Sequence, residues 1–282
     1  MFRELRDVLG DYVLQREIAR GASAVVHLAE DRRDGSQVAV KIALSDPQWS
    51  ADEAARFRHL FANEASLVGR LVHPNVVRML AAELGGEPQY IVMEFIEGVP
   101  LRQFCQPGHL LPRAQVIQLL FRCARAMDFV HGCKVLHRDL KPSNILLSGD
   151  AASSGGGDVK IIDFGAAQID WAQRTQIGGF VGSPAYMAPE QLQERTTSRA
   201  TDVYALGVIL YELLSGTHPF AGDGGPGIVD RILHGAVQPI AERVPGLPAP
   251  LAVLVHKAFA RDPRERYADC FSLARDLMAC AR

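Results

Sequence analysis

The sequence predicts an α+β, two-lobed fold, with a small β-rich N-terminal lobe and a larger α-helical C-terminal lobe. Three observations predict it. The first third alternates apolar and polar residues around Gly and Asp-Gly turn signals. Beyond Gly98–Val99–Pro100 the apolar spacing turns helical. Finally, Val203 to Leu214 is apolar almost all round, as in a helix buried at the centre of a domain. The expected boundaries are 1–11 for an N-terminal extension, 12–97 for the first lobe and 98–282 for the second.

In order, "DYVLQREIARGASAVVHLAED" and "GSQVAVKIAL" read as antiparallel strands. Ser50 with Glu53 forms a capping box that opens a helix, along which Phe57, Leu60, Phe61, Val68 and Leu71 share one face. Glu64 falls on that same face, where a carboxylate needs a cationic partner. "VVRMLAAELGGEPQYIVMEF" gives two more strands about Gly85–Gly86, with a hinge near 94–98. Arg113–His131 is an amphipathic helix, and the central helix stops at Gly216 with Pro219 beyond. Ala249–Ala260 and Tyr267–Ala281 are helical again, and the Gly/Ser-rich insert 148–158 is a surface loop.

The composition is that of an ordinary globular chain: 282 residues, 48% hydrophobic, 22% charged, net charge −2. That balance exerts no whole-chain pull toward nucleic acid or an anionic membrane. The start, MFRELRDVLG, lacks the apolar core of a signal peptide, and no apolar run is long enough to span a bilayer. The five cysteines form no Cys-x-x-Cys pair and read as reduced thiols of a cytoplasmic protein.

"VLHRDLKPSNILL", residues 135–147, sets a dense polar group between two apolar anchors. Asp139 and Asn144 lie five residues apart, and the next strand-like run, "VKII", delivers Asp163 at its end. Asn144 and Asp163 offer the hard oxygen ligands that Mg²⁺ prefers, one or two from protein with the rest from phosphate and water. Lys141 adds a point charge suited to a phosphoryl group, and Asp139 is a carboxylate able to accept a proton. Together these are the parts of a phosphoryl-transfer centre.

These residues bring the chain close to a known family. "HRDLKPSN" (137–144), "DFG" (163–165), "VAVK" (38–41), "MAPE" (187–190), "DVYALGVILYELLSGTHPF" (202–220) and "DPRERY" (262–267) occur in the order and spacing of protein kinases. The chain resembles a eukaryotic-type (Hanks-type) protein serine/threonine kinase of the bacterial kind over nearly its whole length. The resemblance implies ATP with Mg²⁺, or Mn²⁺ in its place, as cofactors, and serine or threonine hydroxyls of protein substrates as acceptors. It implies that Lys41 grips the ATP phosphates and pairs with Glu64, that Asp139 is the catalytic base with Lys141 beside it, and that Asn144 and Asp163 hold the metal. It also implies a nucleotide pocket of Ile18, Gly21, Val26, Ala39 and Leu146, with backbone contacts from Glu94 and Ile96. Glu190 is expected to pair with Arg266, and Asp202 to tie the central helix to the catalytic-loop backbone. Arg138 would bind a phosphate on the activation segment, with Thr175 autophosphorylated in trans through a transient homodimer. Ser183 stands where the family usually has threonine.

One motif departs from the pattern. In "ARGASAVV" (19–26) only the central glycine, Gly21, remains; Ala19 and Ala24 replace the outer two, implying slower nucleotide handling. The change raises a catalytically silent scaffold of the same fold as an alternative; Lys41, Glu64, Asp139, Lys141, Asn144 and Asp163 argue against it. The segment Ser183 to Glu190, a peptide-docking platform in the family, argues against the other alternative, a small-molecule phosphotransferase.

Overall fold

The alternation of the N-terminal third becomes one antiparallel sheet in the computed structural model, which describes residues 9–21, 23–46, 48–149, 157–169, 184–222 and 227–281. The chain divides into two units, Met1–Glu97 and Gly98–Arg282. In the first, β1 (Tyr12–Arg20), β2 (Ala24–Asp31), β3 (Gln37–Ala43), β4 (Met79–Glu83) and β5 (Tyr90–Glu94) lie in the order β1-β2-β3-β5-β4. Val25, Ala29, Val38, Val40, Ile42 and Val92 pack with Leu9, Tyr12 and Leu14 into one core. Leu9 is fully buried there, although the sequence assigns it to an extension. Because side chains alternate across a sheet, Val26, Ala39 and Lys41 share the opposite face; Lys41 sits level with Val26 and Ile91 in the two flanking strands.

Helix α1 (Ala51–Ala65) begins as predicted. Ser50 Oγ accepts from the Glu53 amide at 3.2 Å, and Glu53 Oε2 accepts from the Ser50 amide at 2.8 Å. It ends sooner than the periodicity implies, so Val68 and Leu71 lie outside it. The amides of Leu67, Val68 and Arg70 reach carbonyls three residues back at 3.0–3.1 Å, and Gly69 turns left-handed at φ 72°. Leu71 is nevertheless buried, after a turn and not along a helical stripe.

The second unit opens with β6 (Gly98–Pro100), a 3₁₀ turn (Leu101–Phe104) and α2 (Arg113–Gly132). Next come β7 (Val135–Leu136), β8 (Ile145–Ser148), β9 (Asp158–Ile161) and β10 (Gln168–Ile169). A further 3₁₀ turn (Pro184–Tyr186) leads into α3 (Pro189–Leu192), α4 (Arg199–Ser215), α5 (Ile228–His234), α6 (Ile240–Arg243), α7 (Ala249–Ala258) and α8 (Cys270–Cys280). Strands β6, β8 and β9 form one small sheet, β7 and β10 another. Helix α4 is buried on nearly every residue, capped by Ser198 and ended by Gly216 at φ 70°. At Gly207 an added Cβ would meet the Ala258 Cβ at 2.8 Å, so glycine lets α4 and α7 approach. Helix α8 starts three residues after Tyr267, where Asp269 caps the Ser272 amide at 2.8 Å. Among the described residues all five cysteines are free, and no helix is long and apolar enough to cross a membrane.

Glu190 and Arg266 form a buried bidentate pair, both N–H···O distances 2.8 Å. The guanidinium also covers the Tyr204 ring at 4.9 Å. The Tyr204 hydroxyl, in contrast, is buried with no hydrogen-bond partner. An unsatisfied buried donor costs about 1–3 kcal/mol, so Tyr204→Phe should raise the unfolding free energy by about 1 kcal/mol in urea. A loss of stability would show that the hydroxyl has a partner, such as a buried water.

Candidate active site

In the first unit the chemistry gathers on the Lys41 face of the sheet. Lys41 Nζ lies 2.6 Å from Glu64 Oε2, with the lysine side chain 14% exposed and the glutamate 1%. Helix α1 thus delivers its one deeply buried carboxylate to a strand cation, the arrangement that makes a charge tolerable there. Ala39 is buried, Val26 is half-buried, and Ile18 lies exposed at the end of β1. Ala19 and Ala24 belong to β1 and β2 and take negative φ, so alanine fits both positions without backbone strain. Gly21 donates to the Ala24 carbonyl at 2.9 Å, and a Cβ there would meet only that oxygen, at 3.7 Å. The Glu94 amide donates to the Arg78 carbonyl at 3.0 Å.

In the second unit the loop after β7 is held by side chains beneath it. Asp202, at the start of α4, accepts from the His137 amide at 3.0 Å, the Arg138 amide at 2.9 Å and His131 Nε2 at 2.8 Å. Burial alone would raise the Asp202 carboxyl, but the His131 bond and the neighbouring donors outweigh it and hold it below the ordinary carboxylate range. His137 Nδ1 accepts from the Asp139 amide at 3.3 Å, which leaves Nε2–H to donate to the Ile162 carbonyl at 3.2 Å. Its ring packs on the buried Phe164, centroids 4.6 Å apart.

Above this floor the polar set converges. Asp139 Oδ2 accepts from Lys141 Nζ at 2.6 Å and from Asn144 Nδ2 at 3.2 Å. Asn144 Nδ2 also donates to the Asp139 carbonyl at 2.9 Å, which commits the amide nitrogen and turns Oδ1 away as an acceptor. The Asn144 carbonyl takes the Ile162 amide at 2.9 Å, so Asp163 follows directly beside it, held at φ 64°. Two oxygen donors presented in this way fit Mg²⁺, which keeps most of its shell for phosphate and water. Leu146, half-buried, lies on β8.

Arg138, at φ 67°, carries a buried Nε with no hydrogen-bond partner, and burial lowers the guanidinium from its usual range. Thr175 and Ser183 lie outside the described residues. Beyond them, the Pro184–Tyr186 turn is fixed from α4 and its exit. Tyr186 Oη donates to Glu212 Oε2 at 2.7 Å, and His218 Nε2 donates to the Ala185 carbonyl at 3.0 Å. The sequence reading passed over His131, Tyr186, Gln191, Glu212 and His218. Glu212 alone left a trace, as the one charge within Val203–Leu214.

The protein kinase domain pattern matches residues 12–278, and the chain belongs to that family. Its fold is the two-lobed kinase fold, a β-sheet N-terminal region followed by a helical C-terminal one. The chain is similar to the probable serine/threonine-protein kinase PknB of Bifidobacterium longum, 34% identical over 281 residues, 95% of this chain and 39% of that protein. It is 35% identical to the serine/threonine-protein kinase PknL of Mycobacterium tuberculosis over 271 residues, 96% of this chain and 65% of that protein. With PknA of the same species it shares 36% over 264 residues, 92% of this chain and 58% of that protein. The chain therefore spans between about two fifths and two thirds of the length of these curated relatives.

Burial pushes the His218 imidazole down to about 4 from an ordinary 6.5. The unfolded chain takes up this proton first as pH falls, so the stability is present above about 6.5 and is lost toward 4. Between pH 7 and pH 5 this group should remove about 2 kcal/mol from the unfolding free energy. His218→Phe should shrink the difference between the two pH values by that amount in urea titrations. An undiminished difference would assign the pH dependence elsewhere.

Proposed function

We propose that this chain is the catalytic domain of a serine/threonine protein kinase, which transfers the γ-phosphoryl group of ATP to hydroxyls of protein substrates. Residues 12–97 serve as its nucleotide-binding lobe, and 98–282 as its catalytic and substrate-docking lobe. The observation that carries the reading is the convergence of Lys141 and Asn144 on one Asp139 oxygen, with Asp163 alongside. Family membership and the names of its relatives support it. In this scheme Lys41, steadied by Glu64, binds the α- and β-phosphates of ATP, and Ile18, Gly21, Val26, Ala39 and Leu146 enclose the nucleotide. Asn144 and Asp163 would hold Mg²⁺, which when bound neutralises phosphate charge. Asp139 aligns the acceptor hydroxyl and takes its proton as the oxygen attacks phosphorus. Lys141, already hydrogen-bonded to Asp139, offsets charge on the transferring group. The site we assign operates in the cytoplasm on protein serine and threonine.

A phosphate on Thr175, placed there in trans by a second copy, would meet the half-buried Arg138 guanidinium, whose Nε has no partner of its own. The domain would then switch on when the segment is phosphorylated.

Transfer of ³²P from ATP to casein tests the reading directly. Wild type should label casein, and Asp139→Asn should lower the rate by about 10²–10⁴-fold while ATP still binds. Binding of ATP without transfer by the wild type would favour the silent scaffold. Mass spectrometry after incubation with ATP and Mg²⁺ should find phosphate on Thr175, and Thr175→Ala should lower activity. An unmodified Thr175 in an active enzyme would remove the switch.

A further inference from the structure

Strand β1 lies at the edge of the five-stranded sheet, beside β2. Its register slips just before the loop that has lost its outer glycines. Glu17 pairs with His27 and Ala19 with Val26, so β1 advances two residues where β2 advances one, and Ile18 is the extra residue of a bulge. In an unbroken strand, residues three apart point to opposite faces. The bulge cancels that alternation, and Glu17 and Arg20 meet on one side. Arg20 Nε donates to Glu17 Oε1 at 2.9 Å, and Nη2 to Oε2 at 2.5 Å. By the same count Ile18 and Ala19 both turn to the other side, the one that Val26 shares with Ala39 and Lys41.

The far limb of the loop is tied through its backbone. Gly21 donates to the Ala24 carbonyl at 2.9 Å, and the Leu44 amide, just past β3, donates to the Ser23 carbonyl at 2.8 Å. The β1 limb has the Glu17–Arg20 pair instead, spanning the bulge with two parallel bonds. Alanine at 19 and 24 leaves the backbone fewer choices than glycine would. A loop so restricted remoulds less around a ligand, and its resting shape counts for more. Arginine beside a phosphate-binding loop invites the role of phosphate ligand. Here the guanidinium lies across the strand from Lys41, with both prongs on a carboxylate.

We propose that Glu17 and Arg20 are positioning residues: their ion pair staples the bulge in β1 and so holds Ile18 against the base of the nucleotide. The staple acts on nucleotide affinity through an apolar contact and not through phosphate charge. The inference rests on the kinase reading above, which makes Ile18 part of the nucleotide enclosure. A bulge next to a site commonly serves to re-aim one side chain, and an edge strand needs its own fastening to keep it.

Calorimetric titration with adenosine, which carries no phosphate, and with ADP separates the two roles. Arg20→Gln should raise Kd for both by the same factor. With the two side chains 49% and 34% exposed, that factor is about three- to fivefold, the size of a well-formed exposed ion pair. Glu17→Gln should behave alike, and the charge exchange Glu17→Arg with Arg20→Glu should recover most of the wild-type affinity. Ile18→Ala should bind both ligands more weakly, and adding Arg20→Gln to it should change nothing further, because the pair acts through Ile18. A loss confined to ADP makes Arg20 a phosphate ligand and overturns the proposal. An unchanged adenosine Kd in Arg20→Gln does so too, as does a further loss in the Ile18→Ala background. Should the charge exchange fail to fold, Arg20→Gln with and without Ile18→Ala decides it. A wild type that binds neither adenosine nor ADP removes the kinase reading and the staple with it; normal binding with an indifferent Arg20→Gln removes the staple alone.

Discussion

The loop after β7 depends on one buried carboxylate. Asp202 is 1% exposed and accepts three N–H groups, two of them backbone amides of His137 and Arg138. An unpaired carboxylate so deep would cost several kcal/mol, so each donor is a condition of its presence. The return is conformational. Arg138 is held at φ 67°, a region that costs a non-glycine residue of order 1–3 kcal/mol. Its amide is fixed by Asp202, and its carbonyl accepts from Gln191 Nε2 at 2.9 Å. With both backbone groups engaged, the bend is over-determined, and it sets the direction in which Asp139 leaves the loop. Helix α4 thereby transmits its rigidity to the Asp139 carboxylate, which we assign as the base.

Two buried ion pairs in this chain do different work. Arg266 spends all five of its N–H donors: Nε on the Ala260 carbonyl, the others on Glu190, Ala200 and Arg261. Thr201 adds a further bond to Glu190, at 2.8 Å. Nothing in that set is left for a ligand, so it is a brace between α3 and the stretch before α8. The Lys41–Glu64 pair keeps its lysine side chain 14% exposed, with a compact, rotatable head. The fully sated pair suits a scaffold, and the partly open one suits a site.

Much of this was legible in the sequence because it is local or periodic. The Ser50 cap, the all-round apolarity of α4, the Gly216 stop and the placing of Glu64 on the buried face are set by a few adjacent residues. The Asp202 tie and the Glu190–Arg266 pair were reached only through family resemblance, since partners 64 and 76 positions apart have no local signature. Helix α1 was extended too far because Val68 and Leu71 keep its period while the chain has already turned at Gly69. The ties of His131 and His218 were invisible for another reason. A histidine in a helix or at a helix exit reads equally well as core, surface or ligand until its two nitrogens have named partners.

The hairpin of β8 and β9 carries one more consequence. Ser148 faces Asp158 in the ladder, and Gly149 and Gly157 stand beside this last rung at φ 78° and 64°. Arg122 on α2 clasps the far strand through the Gly157 carbonyl and Asp158, its nitrogen 3.6 Å from the carboxylate. The two strands are thus fastened at the rung, independently of whatever joins them. Doubling the length of such a connection costs only about 0.6 kcal/mol in closure entropy. This corner of the domain is therefore an open port for evolutionary grafting: sequence can be spliced in between the two glycines while Asn144 and Asp163, at the other end of the same strands, keep their spacing.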